Sequence, residues 1–169
     1  MAHFLPISLA KPPVILGLSL NSRTIGMAVV SGGTLIDYKI KLLKERWSNQ
    51  KLERIISCIN LYIQEYAVEK VSLLLPHRHY TNPETKILLE KIKGHCRKAK
   101  LPICYYKAKD LHTLHEHTRA KKKALMQALS TLYPELSLAQ KKELANKKRY
   151  YCKLFEAVGA ATLHAREIY

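Results

Sequence analysis

Apolar positions along this chain first run together, then alternate with polar ones, then recur at three- and four-residue intervals. Val14–Leu20, VILGLSL, is apolar apart from Gly17 and Ser19, and Pro13 and Asn21-Ser22 bound it, which predicts a buried strand. A second apolar run over residues 25–31 leads into Gly32-Gly33, a two-residue hairpin signal in which glycine supplies the positive φ cheaply. Over Thr34–Leu42 the apolar Leu35, Tyr38 and Ile40 mix with Asp37, Lys39 and Lys41, the pattern of a half-exposed strand. Three strands in succession predict an antiparallel meander.

Ser48 then reads as an N-cap, and Leu52, Ile55, Ile56, Ile59, Ile63 and Tyr66 mark one face of a long amphipathic helix. A short apolar strand over 71–75 stops at Pro76. A second helix opens at Pro83-Glu84, turns Ile87, Leu88, Ile92 and Cys96 inward and ends near Lys100. A fifth strand follows over 101–106, and helices are predicted over 110–117, 119–133, 137–145 and 150–168. The order βββαβα β followed by helices predicts an α/β fold with a mixed five-stranded sheet, because right-handed crossovers lay the later strands parallel to the first. That is the ribonuclease H-like architecture.

A chain of 169 residues is long enough to bury its own core, so a single domain is expected over 14–169 after an N-terminal arm at 1–13. No apolar run approaches the roughly 20 residues of a membrane span. The opening stretch lacks a basic start and is interrupted by Pro6, Pro12 and Pro13, so no signal peptide is expected. Cys58, Cys96, Cys104 and Cys152 have no CxxC spacing, which fits reduced thiols and a cytoplasmic setting.

Charge changes the picture most. The net charge is +16, of which +4 lies in residues 1–84 and +12 in residues 85–169. An excess of this size on a small domain points to a polyanion, DNA or RNA, with an acidic protein as the alternative partner. Arg119, Lys121, Lys122 and Lys123 form one basic cluster and Lys141, Lys142, Lys147, Lys148 and Arg149 another. Such clusters repel unless an anion is near, which makes them candidate phosphate contacts. Tyr150 and Tyr151 follow the second cluster, and Tyr105 and Tyr106 close the fifth strand; an aromatic side chain beside lysines can stack on an unpaired base. His77, His79 and Tyr80 follow the fourth strand at a sheet edge where ligands of open α/β sheets bind. His112, His115, Glu116 and His117 crowd another segment without an HExxH spacing.

The run ILGLSLNSRTIGMAVV, with Gly17, Ser22-Arg23 and Gly26 in place, resembles the first hairpin of the RuvC/YqgF branch of Holliday-junction resolvase-like proteins. FEAVGAATLHA, from Phe155 to Ala165, resembles that family's last helix, and HTRAKKKALMQAL its basic helix after the final strand. The resemblance implies a ribonuclease H-like fold, Arg23 and the basic helices at a branched nucleic acid, and a homodimer as the working form. It also implies phosphodiester hydrolysis by two divalent ions held on carboxylates from the first strand, the fourth strand and the last helix.

The chain departs from the family at those carboxylates. Ser19 stands at the first-strand acid, Leu74-Leu75-Pro76 at the fourth-strand glutamate, and Tyr106-Lys107-Ala108-Lys109 at a third acidic segment, with an acid only at Asp110. Glu156 is retained on the last helix, with Lys153 one turn earlier. Hard cations need anionic oxygens, so no bound metal or other cofactor is expected, and Mg²⁺ or Mn²⁺ would be required only if cleavage survived. The expectation is a nucleic-acid-binding pseudo-nuclease. An endonuclease with a site rearranged around Glu156, His77, His79 and Asp110, and a protein-interaction scaffold, are the alternatives.

Overall fold

The computed structural model describes residues 11–77, 81–115, 121–145 and 150–168. Five strands, β1 (Val14–Leu20), β2 (Thr24–Ser31), β3 (Thr34–Leu42), β4 (Lys70–Leu74) and β5 (Ile103–Tyr106), form one sheet in the order β3-β2-β1-β4-β5. β1 pairs antiparallel with β2, and β2 with β3; β4 runs parallel to β1, and β5 parallel to β4. This is the mixed sheet expected from the strand order.

Helices cover both faces. On one lie α1 (Asn49–Glu65) and α2 (Pro83–Lys98); on the other lie a 3₁₀ helix (Ala108–Leu114), α3 (Lys121–Leu132), α4 (Ser137–Ala145) and α5 (Cys152–Ile168). The two faces explain why β1 reads as almost continuously apolar. Leu16, Leu18 and Leu20 pack towards α1 and α2, whereas Ile15, Gly17 and Ser19 face α5. All seven residues of β1 are buried.

Local signals set the ends of the elements. Ser48 caps α1 by accepting the Lys51 N–H at 3.1 Å, and Asn82 caps α2 by accepting the Thr85 N–H at 2.8 Å, with Pro83 in the first turn. Gly32 takes the left-handed conformation in the β2–β3 turn, at φ 60°. The expected helix over 110–117 is instead the 3₁₀ segment Ala108–Leu114, which the Asp110 carboxylate caps by accepting the Lys107 N–H at 2.7 Å. The fifth strand is shorter than expected, beginning after Pro102, and β4 begins one residue early at Lys70.

Two glycines bring α5 unusually close to the sheet. A Cβ on Gly17 would lie 2.0 Å from the Ala157 carbonyl oxygen, and one on Gly26 would lie 2.1 Å from that of Lys153. Helix backbone therefore rests directly on strand backbone, and the first turn of α5 is held against β1 and β2.

Candidate functional site

That close approach creates the site. Ser19 and Gly26 are paired across β1 and β2, and Lys153 lies over Gly26, so the next side chain of α5 on this face, Glu156, reaches Ser19. The Ser19 hydroxyl donates to Glu156 Oε2 at 2.6 Å, and Lys153 Nζ donates to the same oxygen at 3.1 Å. Cys152, one turn before Glu156, donates its thiol to Oε1 at 3.3 Å. Both oxygens of the carboxylate are thus engaged by the chain itself. Burial, and next the charge of Glu156, push the Cys152 thiol up to about 11, so it stays protonated and remains a donor at neutral pH.

A pair of Mg²⁺ or Mn²⁺ ions requires several hard anionic oxygens around it. Here β1 offers a hydroxyl, and the residue beside Ser19 on β4 is Leu74. The one carboxylate is neutralised by an ammonium, and its side chain is only 17% exposed. Among the described residues, no group of three His, Cys, Asp or Glu comes together in a metal-holding arrangement. This donor set does not fit a two-metal centre. Asp110 is committed to capping the 3₁₀ helix, and His77, exposed after β4, accepts the Thr81 hydroxyl on its backbone carbonyl. His79 lies outside the described residues.

Basic groups surround this end of the sheet. Exposed Arg23 stands in the β1–β2 turn, which is built on Asn21: its side-chain oxygen accepts the N–H groups of Arg23 and Thr24, both at 2.8 Å. Beneath the turn lies Lys51, 4% exposed, whose ammonium donates to the carbonyls of Ser22 (2.8 Å), Leu43 (3.2 Å) and Glu45 (2.7 Å). It ties the turn to the segment after β3, which carries exposed Lys44 and Arg46. On the other side of Glu156, Lys121, Lys122 and Lys123 line a cavity of about 430 Å³ that Glu156 also lines. Tyr150 stacks edge-on with Tyr151 at 4.7 Å, and the backbone N–H groups of both donate to Glu143. Arg119, Lys147, Lys148 and Arg149 lie outside the described residues.

No family model matches the sequence, and no curated protein matches it. Solved structures do. The structure of Thermus thermophilus RuvC aligns with a TM-score of 0.69 at 15% identity, over 90% of this chain and 93% of that one. The chain has the RuvC fold. The same protein in complex with a Holliday junction substrate gives a TM-score of 0.68 at 16% identity, over 90% and 92% of the two chains. The Fowlpox virus resolvase in complex with its Holliday junction DNA substrate gives 0.56 at 13% identity, over 90% and 99%.

Within this RuvC fold, Ser19 and Glu156 converge as the ends of β1 and α5 require. Lys121, Lys122 and Lys123 gather beside them, and Arg23 stands in the turn just after Ser19. Tyr106, named with Tyr105 as a stacking candidate, is instead a core residue whose hydroxyl donates to Glu167 at 2.7 Å, while Tyr105 is exposed with Lys93 over its ring. Sequence reasoning passed over Lys51 and Cys152. Lys51 stands four residues before Ile55 on the apolar stripe of α1, and Cys152 four residues before Glu156 on α5; those spacings were the available signals.

Proposed function

We propose that this chain is a nucleic-acid-binding domain that engages branched or structured DNA or RNA and has given up metal-dependent cleavage. The observation that carries the reading is the Glu156 carboxylate. Ser19, Cys152 and Lys153 satisfy both of its oxygens, and the lysine supplies the positive charge that a divalent ion would otherwise bring. The surroundings are basic: Arg23, Lys44 and Arg46 on one side and Lys121, Lys122 and Lys123 on the other suit a phosphate backbone running across the end of the sheet. The two resolvase structures of this fold bound to Holliday junctions support a branched ligand.

The test is a pair of measurements on one labelled four-way junction. Affinity should fall steeply with added salt, by a slope of several counterions, and binding should need no divalent ion, persisting in EDTA. No strand should be cut in Mg²⁺ or Mn²⁺. Cutting that Glu156→Gln abolishes would overturn the loss of cleavage, and absence of salt-dependent binding to any nucleic acid would overturn the binding reading itself.

A further inference from the structure

The cavity beside Glu156 is more than a basic patch. Its floor is apolar, made by buried Leu111, Leu125, Met126 and Phe155, and its rim carries Lys121, Lys122 and Lys123 at the start of α3. His112 and His115 form one wall, with rings 5.6 Å apart and edge to face. The acids of the lining are already occupied: Glu143 accepts the N–H groups of Tyr150 and Tyr151, and Glu156 accepts Ser19, Cys152 and Lys153. No ion pair among the described residues involves the three lysines. His115 Nδ1 is buried and has no hydrogen-bond partner among the described residues.

A volume of about 430 Å³ is in the range of small-ligand pockets and far too small for a duplex. A ligand matched to this lining has a flat apolar body, an edge that hydrogen-bonds an imidazole and a negative charge at its outer end. Those are the parts of one nucleotide: base on the floor, base edge at His115, phosphate at the lysine rim. We propose that the cavity receives a single unpaired nucleotide of the bound strand, extruded from the stack, so that the domain selects nucleic acid with an unpaired position over continuous duplex. Extrusion costs least at a nucleotide that is already unpaired, which makes the pocket a sensor of branch points and gaps rather than of sequence. This rests on the nucleic-acid-binding reading above.

The probe is a four-way junction with one unpaired 2-aminopurine at its centre, compared with a fully paired duplex of the same length. Wild-type protein should prefer the junction by about tenfold, on the scale that stacking one base supplies, and should raise 2-aminopurine emission on saturation. Leu144→Trp, on the exposed lip of the cavity, should bring the preference close to one and cancel the rise in emission. A second measurement does not depend on any variant: 5-iodouracil at the same unpaired position should cross-link to peptides spanning 108–115 or 121–126. Salt-dependent binding with no junction preference and unchanged emission, or cross-links confined to the Arg23 and Arg46 side, would overturn the pocket while leaving nucleic-acid binding intact. Failure of the wild-type protein to bind either probe would overturn both.

Discussion

Lys153 and Ser19 act on the same oxygen of Glu156, and their energies are therefore not independent. Lys153→Met leaves a carboxylate that is 17% exposed without its cation. The expected loss is about 1–2 kcal/mol, between the values of exposed and buried ion pairs, read as a shift in the urea midpoint at constant m. In the Ser19→Ala background the same change should cost a different amount, and that coupling identifies the shared oxygen. The positions of Ser19 and Glu156 were legible in the sequence, because strand and helix motifs fix where each stands. What the lysine does was not. Its backbone rests on Gly26 of a neighbouring strand, an approach between distant segments that no local pattern encodes, and from there its ammonium reaches Glu156.

Among the elements, α5 and the first hairpin behave as one unit. Gly26→Ala places a methyl group against the Lys153 carbonyl, and backbone on both sides leaves nothing flexible to yield. The helix must lift, which is expected to cost at least the ~1–3 kcal/mol of an overpacked core and to lengthen the Ser19–Glu156 bond. A fall in thermal midpoint together with faster exchange of the first-turn amides of α5 would show it. Leu35→Ala, on β3 beside the far end of β2, should lower stability without that local signature. The strands and the helices α1 and α2 were readable from periodicity, because a two-sided central strand and an amphipathic helix leave different patterns, although Ile87, expected to face inward, is exposed. The segment over Ala108–Leu114 is helical but 3₁₀: Asp110 satisfies a backbone N–H three residues back, and a cap of that kind also begins an α-helix, so sequence does not distinguish the two.

For the whole molecule, pH and salt act on different parts. On α5, His164 is 5% exposed and hydrogen-bonded to Ser72 of β4 at 2.7 Å. Burial first, and then the charge of Lys70, hold it below its ordinary value of 6.5, partly offset by Glu167. A folded-state pKa below the unfolded one gives stability that is complete above about pH 6.5 and declines as the unfolded chain takes up the proton first. His112 is lowered as well, by burial, then by Lys121 and His115, and adds a decline of the same sign. Thermal midpoints should therefore be flat between pH 7 and 8 and fall between pH 6.5 and 5, with a shallower fall in His164→Gln. The net charge of +16 was plain in the sequence and predicts the polyanion partner, but composition does not say which end of the sheet carries it.

Lys51 gives this end of the fold a different character. Its ammonium sits among three backbone carbonyls, and that of Lys153 sits against the Glu156 carboxylate. Both of these counter-charges are covalently part of the chain. Dialysis cannot remove them and no chelator can compete for them, so the shape of this end of the sheet is independent of the ions in solution.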